Sequence, residues 1–312
     1  MIKACFAGAT LVLVAGCSGG NGLPTASGIP PAARAQNWFH SAVASPKLYI
    51  SNATGGVAVY STGSNPQLLQ TITHGVPRTG GIWVDKRGIL YAVNVPISSQ
   101  QTSLPEYKPG ASSPFRTITN GIVNCSYVAV DKLENVYVTG VDTSNESFFL
   151  EIYRNGQLSP SQTLTIPHPQ VSRVSGLAFD LTGALLVGES VYLKPGVVYR
   201  LAPASQNFTN LNLQNAPGGA IAVDKAGNLY AGSGSSAGAQ AIAVYAPNST
   251  TPSRQIAVQN ILGALAVKPD GELYTETGGD GPPQISVYAP GSNSPMQTFD
   301  AAAGGISLAL SR

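Results

Sequence analysis

Glu189, Asn52 and Asn94 are the side chains in this sequence with the most to offer chemically. A carboxylate beside amide oxygens is a donor set for a hard cation such as calcium. A divalent metal held there would polarise a carbonyl and lower the pKa of a bound water, which is the chemistry of a lactone hydrolase or lyase. Arg78 and Arg173 occupy related positions and could join them. These residues lie far apart along the chain, so only a repeating framework would gather them. Other catalytic constellations are missing. The three His residues (His40, His74 and His168) form no His-x-His or Glu-x-x-His pattern. Ser is abundant, but no Gly-x-Ser-x-Gly elbow occurs. Cys125, the one Cys beyond residue 17, has no partner for an intramolecular disulfide. No Cys-x-x-Cys or Cys-x-x-Cys-His exists for zinc, redox or haem chemistry. Cys125 therefore reads as a small core residue.

The framework shows itself in six tyrosines, Tyr60, Tyr107, Tyr153, Tyr199, Tyr245 and Tyr288, spaced 47, 46, 46, 46 and 43 residues apart. A period of this size marks one supersecondary unit that buries its apolar face against copies of itself. One segment recurs as GIWVDKRGILYAVN (81–94), YVAVDKLENVYVTG (127–140), GLAFDLTGALLVGE (176–189), AIAVDKAGNLYAGS (220–233) and ALAVKPDGELYTET (264–277). Each is a short apolar strand, a tight turn and a second strand. Gly88, Gly183, Gly227 and Gly271 supply the left-handed turn residue. Glu134 stands in that place in the second copy, and Asn135 beside it is expected to take the left-handed conformation instead. A third strand ends in the periodic Tyr, as in IAVYAPN (242–248), and a Pro at 66, 114, 160, 252 or 295 opens a fourth, as in RQIAV (254–258). No window has the spacing of an amphipathic helix.

Four-stranded units repeated radially make a propeller. The innermost slot is filled at 82–84, 128–130, 177–179, 221–223, 265–267 and 306–308, and the second slot at 48–51, 90–93, 136–139, 185–188, 229–232 and 273–276. GGISLAL (304–310) has no successor and KLYIS (47–51) no predecessor. The expectation is an all-β, six-bladed propeller over 47–312, with four-stranded antiparallel blades. The C-terminal inner strand closes it by pairing with the N-terminal strand, leaving no radial edge free. Small residues before the inner strands suit the crowding at a central axis. Trp83, in a slot that is Ala elsewhere, either fills a gap between blades or lines a pocket.

The A-V-D-x-x-G-N-L-Y hairpin followed by V-Y-A-P-G resembles the NHL-repeat and TolB-like six-bladed propellers, over residues 47–310. That resemblance implies architecture rather than activity, because these residues build blades. The gluconolactonase-like propellers resemble it too, and imply a divalent metal held in the channel by acidic and Asn side chains. Peptide-amidating lyases with NHL propellers use His ligands, which this chain is short of. The position ending the second strand holds Asn52, Asn94, Gly140, Glu189, Ser233 and Thr277 around the ring. These groups either converge at the channel mouth or cap strand ends and meet water. The loops that follow (95–103, 141–148, 189–196, 233–241 and 277–284) vary in length and composition, unlike the hairpin turns. Variable loops on a rigid scaffold are the expected binding surface. Phe148, Tyr192 and the acidic loop Asp142–Glu146 lie there.

The N-terminus reads as targeting. Residues 1–16 carry Lys3 and an apolar run too short to span a bilayer, as in a signal peptide. Val14-Ala15-Gly16-Cys17 resembles the lipobox of bacterial lipoproteins, which implies cleavage before Cys17 and lipid attachment to its thiol. Ser18, not being acidic, implies the outer membrane in a Gram-negative host. Residues 17–46, rich in Gly, Ser, Pro and Ala, read as a flexible tether. The predicted location is the cell envelope, periplasmic or surface-facing, with the membrane touched only through the lipid. A formal charge of +2 and 10% charged residues leave no footprint for nucleic acid. The functional expectation is a monomeric, non-catalytic scaffold without cofactor, binding a protein, peptide or glycan through its variable loops. The alternative is the metal-dependent hydrolase or lyase at the channel mouth.

Overall fold

A computed structural model describes residues 45–311, apart from 53–54, 96–101, 145, 169–171, 192–193, 216–217, 233–239, 259–260, 279–282, 303–304 and 306. The signal segment, Cys17 and the tether up to residue 44 lie outside the described residues, as do Tyr192 and Ser233. The described chain begins with β1 (Lys47–Asn52), β2 (Gly56–Ser61) and β3 (Leu68–Ile72). Blade 1 is β4 (Thr79–Val84), β5 (Leu90–Asn94), β6 (Leu104–Tyr107) and β7 (Arg116–Ile118). Blade 2 is β8 (Cys125–Val130), β9 (Val136–Asp142), β10 (Ser147–Tyr153) and β11 (Gln162–Ile166). Blade 3 is β12 (Ser172–Phe179), β13 (Leu185–Val191), β14 (Lys194–Leu201) and β15 (Phe208–Asn210). Blade 4 is β16 (Ile221–Val223), β17 (Leu229–Gly232), β18 (Ala241–Tyr245) and β19 (Arg254–Ala257). Blade 5 is β20 (Ile261–Val267), β21 (Leu273–Gly278), β22 (Gln284–Tyr288) and β23 (Gln297–Asp300). Finally β24 (Leu308–Leu310) pairs antiparallel with β1, completing blade 6 in the order β24-β1-β2-β3. Every blade is thus a four-stranded antiparallel sheet, and no helix occurs among the described residues. The inner strands contact one another in ring order, β4 to β8, β12, β16, β20, β24 and back to β4.

The closing strand sits two residues further along than the sequence slots suggest, at 308–310 rather than 306–308. The reason is visible at Ser311. In blade 1, Asp85 N donates to Ile89 O at 3.0 Å, and Ile89 N donates to Asp85 Oδ1 at 2.8 Å. In blade 6 Ser311 N donates to Lys47 O at 2.9 Å, and Lys47 N donates to Ser311 Oγ at 2.8 Å. The hairpin's bonding is therefore reproduced across a gap in the chain, with Ser311 standing for Asp85 and Lys47 for Ile89. That match sets the register.

The hairpin carboxylates are structural. Asp131 Oδ1 accepts from Leu133 N and Asn135 N, and its Oδ2 from Asn135 Nδ2 and Tyr137 OH, all within 3.2 Å. Asp180 accepts from Ala184 N and from Arg200 Nε, and Asp224 from Asn228 N and Asn228 Nδ2. Blade 5 inverts the charges, with Lys268 bonded to Glu272 and the Tyr274 hydroxyl donating to the same carboxylate at 2.6 Å. Glu134 itself, not Asn135, takes the left-handed conformation, at φ 67°. Asn135 keeps ordinary φ because its side chain is held by Asp131. The strain at Glu134 is offset by an ion pair to Arg87 of the preceding blade at 2.8 Å and a bond from Asn155 Nδ2.

Four of the six periodic tyrosines fasten neighbouring blades. Tyr107 OH donates to His74 O at 2.8 Å, Tyr153 OH to Asn120 O at 2.7 Å and Tyr245 OH to Gln214 O at 2.8 Å. Tyr60 OH accepts from Ala302 N at 2.8 Å. In each case the partner lies on the segment leaving the preceding blade. The ring is fully buried while its hydroxyl is satisfied, which is how an amphipathic side chain adds apolar area without an orphaned donor. Trp83 is half-buried between blades, edge-on to Phe179 at 5.9 Å, and so packs blade 1 over Ala129 toward blade 3.

Candidate functional site

The two ends of the ring differ in how their polar groups are used. At the hairpin end the buried carboxylates Asp85 and Asp224 are consumed by turn bonds. Eight buried side-chain atoms lack a partner among the described residues, and they belong to Thr79, Asn94, Thr139, Ser172, Glu189, Thr275 and Glu276. All lie at the middle or loop-end half of first and second strands; none lies at a hairpin. Native interiors leave few such atoms, and a group of them at one end asks for water or a ligand.

Glu189 is fully buried with both carboxylate oxygens unpartnered. The two-residue period of β13 puts it on the face of Leu185 and Val187, which pack with Ala129, Leu150 and Ile166 of blade 2. It therefore faces the seam between blades 2 and 3. Burial pushes its carboxyl up to about 7. Ser172 stands near enough to pull it back slightly, yet the two do not meet in hydrogen-bonding geometry. Arg173 pairs with Ser190, alternates away from Glu189 and is exposed. Arg78 is half-buried ahead of β4, its carbonyl accepting from Val95 N at 2.9 Å.

Asn94 lies on the face of Leu90 and Ala92, toward blade 6, and donates from Nδ2 to Ser103 Oγ at 3.3 Å while its Oδ1 is unpartnered. Asn52 lies on the face of Leu48 and Ile50, toward blade 5. Its amide folds over the turn that follows, so that a Cβ on Gly55 would come within 2.6 Å of Asn52 Nδ2. Asn52, Asn94 and Glu189 thus face three different seams. Thr277, the ring residue of blade 5, is buried on the face toward blade 4.

The group that sequence reasoning passed over is Glu276, one residue before that ring position. It is 2% exposed, faces blade 6, and shares the seam of Asn52. Its Oε1 accepts from Gly305 N at 3.3 Å and its Oε2 is unpartnered. Burial raises its carboxyl to about 7 as well, eased by the Gly305 amide. The signal was a charge inside an apolar strand, where the other blades have Ser51, Val93, Thr139, Gly188 and Gly232. The seams of Glu189 and Glu276 are three steps apart on the six-step ring, and so lie opposite one another. Among the described residues no three His, Cys, Asp or Glu are grouped as metal ligands. Any cation here would rely on single carboxylates with amide, hydroxyl and carbonyl oxygens.

The acidic loop is locally tied: Asp142 Oδ1 accepts from Ser144 N at 2.9 Å and Ser144 Oγ at 2.6 Å. Phe148 packs edge-on against His168 at 5.1 Å. His74 is exposed and offers its carbonyl to Tyr107. The Cys125 thiol is buried and pushed up to about 12, far from a nucleophile's range.

This architecture defines a six-bladed β-propeller. No protein-family model matches the chain, and no curated protein matches it. Similar solved structures share the fold at low identity. A protein of unknown function from Bacteroides caccae has a TM-score of 0.58 at 12% identity, covering 86% of this chain and 99% of its own. A candidate 6-phosphogluconolactonase from Bacteroides uniformis has 0.56 at 11%, covering 83% of each. The WD40 propeller domain of Doa1 has 0.52 at 13%, covering 84% and 81%.

Proposed function

We propose that this chain is an envelope-anchored propeller of the NHL or TolB-like type, which binds a protein, peptide or glycan at the loop end of its ring. The observation that carries this reading is the asymmetry of the two ends. The hairpin end has spent its carboxylates on turns, whereas the loop end gathers the buried polar atoms that lack partners and bears the loops of unequal length. A closed ring holds those loops on a rigid base, which limits the ordering cost of binding. The lipid on Cys17 and the tether that follows would keep the monomeric ring at a membrane surface while leaving it free to turn. A Cys17→Ser protein, immobilised and crosslinked gently in envelope extract, tests this. The expected result is one retained partner, lost on Arg173→Ala with Arg78→Ala and kept on Leu133→Ser at the hairpin end. Loss with the hairpin variant alone would reject the reading. Intact mass of membrane-extracted protein tests the anchor, which requires a mature chain starting at Cys17 with added lipid mass.

A second reading, the lactone hydrolase or lyase, is favoured by Glu189 alone: a buried carboxyl poised near neutrality suits general acid–base work. Asn52 and Asn94, on other seams, would contribute only through a ligand large enough to span the channel mouth. Thermal shift with calcium, zinc or manganese, together with a lactone hydrolysis assay, separates the two. No shift and no turnover dismisses the enzyme.

A further inference from the structure

The last strand of the ring is held by an unusual neighbour. Gly305, just ahead of β24, donates its N–H to Glu276 Oε1 of blade 5 at 3.3 Å. The other oxygen, Oε2, has no partner and lies against Gly263, where a Cβ would come within 2.0 Å of it and within 3.0 Å of the Gly305 carbonyl oxygen. Two oxygens without hydrogens therefore crowd one glycine. A proton on Oε2 removes the charge, and the neutral carboxyl still accepts from the Gly305 N–H. An ionised carboxylate in the same place repels that carbonyl and is deprived of water.

Among the described residues the seam offers no counter-charge. β20, β22 and β24 carry no Lys, Arg or His, and Tyr288 on β22 packs toward blade 4. Tyr274, on the same face of β21, spends its hydroxyl on Glu272. On β1, Lys47 sits at the hairpin end and Tyr49 packs toward blade 1. Tyr60 on β2 bonds Ala302, and Asp300 on β23 is exposed at the outer edge. Among the described residues, the segment is also held by Ser307 N to Ser51 Oγ at 2.9 Å, Ser51 N to Ser307 O at 3.0 Å, Ile82 N to Ser307 Oγ at 3.2 Å and Ser307 Oγ to Ile82 O at 3.4 Å. Beyond it, β24 makes three ladder pairs with β1, and Ser311 adds two bonds to Lys47.

We propose that the neutral Glu276 carboxyl latches the C-terminal strand into the ring, and that its ionisation loosens this seam alone. The sign follows from burial. Glu276 titrates near 7 when the ring is closed, and near an ordinary Glu once the strand leaves. Opening therefore becomes easier as pH rises from about 4.5 to 7, and levels off above that.

Amide hydrogen exchange on the Cys17→Ser chain, corrected for intrinsic rates, measures it. Protection of 307–311 should fall at least about tenfold between pH 5 and pH 7.5, relative to β17 of blade 4. Glu276→Gln should keep the segment protected and nearly pH-independent, because its neutral amide oxygen still accepts from the Gly305 N–H. Glu189→Gln, on the opposite seam, should leave the pH response of 307–311 in place. A uniform response across all blades, or an unchanged response in Glu276→Gln, overturns the latch. Should Glu276→Gln fail to fold, Glu276→Thr, the residue blade 2 carries there, replaces it: protection of 307–311 should then be lower at pH 5 and no longer vary with pH, and an unchanged pH response overturns the latch.

Discussion

Glu189 and Glu276 are the residues whose chemistry the fold changes most. Each is an ordinary carboxyl in the unfolded chain, and each is pushed up to about 7 by burial. Their folded pKa values are raised, so the stability they allow is fully present below about 4.5 and is lost as pH rises through 7. The protein should therefore melt at a higher temperature near pH 5 than near pH 8. Scanning calorimetry of wild type and the Glu189→Gln/Glu276→Gln double variant checks this, and the variant should flatten the profile. A wild type that gains stability toward pH 8 would contradict it. Tyr107 makes a simpler case. Tyr107→Phe keeps the buried ring but strands the His74 carbonyl, and should cost about 1–2 kcal/mol by denaturant titration. The same change at Tyr153 should cost a similar amount, since its bond to Asn120 has the same geometry.

At the level of elements, the hairpin and the closure are two versions of one bonding pattern. Asp85 or Asp224 holds a continuous turn, and Ser311 holds a broken one. Removal of residues 304–312 takes away β24 and exposes the inner edge of β1 and the apolar faces of Leu48 and Ile50. The shortened chain should lose its single cooperative transition, seen by circular dichroism, and should aggregate through that edge. Unchanged melting would mean the ring does not depend on closure. Gly88→Ala should be milder, costing about 1 kcal/mol, because φ 77° is unfavourable for Ala while the turn bonds persist.

Across the whole molecule, a ring of six sheets gives each blade two neighbours and no free side except its outermost strand. Rigidity of that kind suits a scaffold whose two ends do different work. One end is locked by carboxylate-capped turns. The other bears loops of unequal length, following strands that extend to Asp142 in blade 2 and Val191 in blade 3. The buried polar atoms that lack partners among the described residues follow that division.

Much of this was legible in residue order. The tyrosine period, the Asp-to-Gly turns and the unmatched first and last strands reported blade number and circular closure, because each of them is a local pattern repeated. Seam assignment was not legible. Asn52, Asn94 and Glu189 share a strand position, yet each faces the gap before its own blade, so equal positions in a repeat lie around the axis and not beside one another. Glu276 was hidden because its meaning depends on Gly263 and Gly305, which come from two different blades. Left-handed Glu134 likewise needed Arg87 from a neighbouring blade to explain it. Local pattern determines the unit and its count. Only the packing of one unit on the next decides which polar groups meet and which are deprived of water.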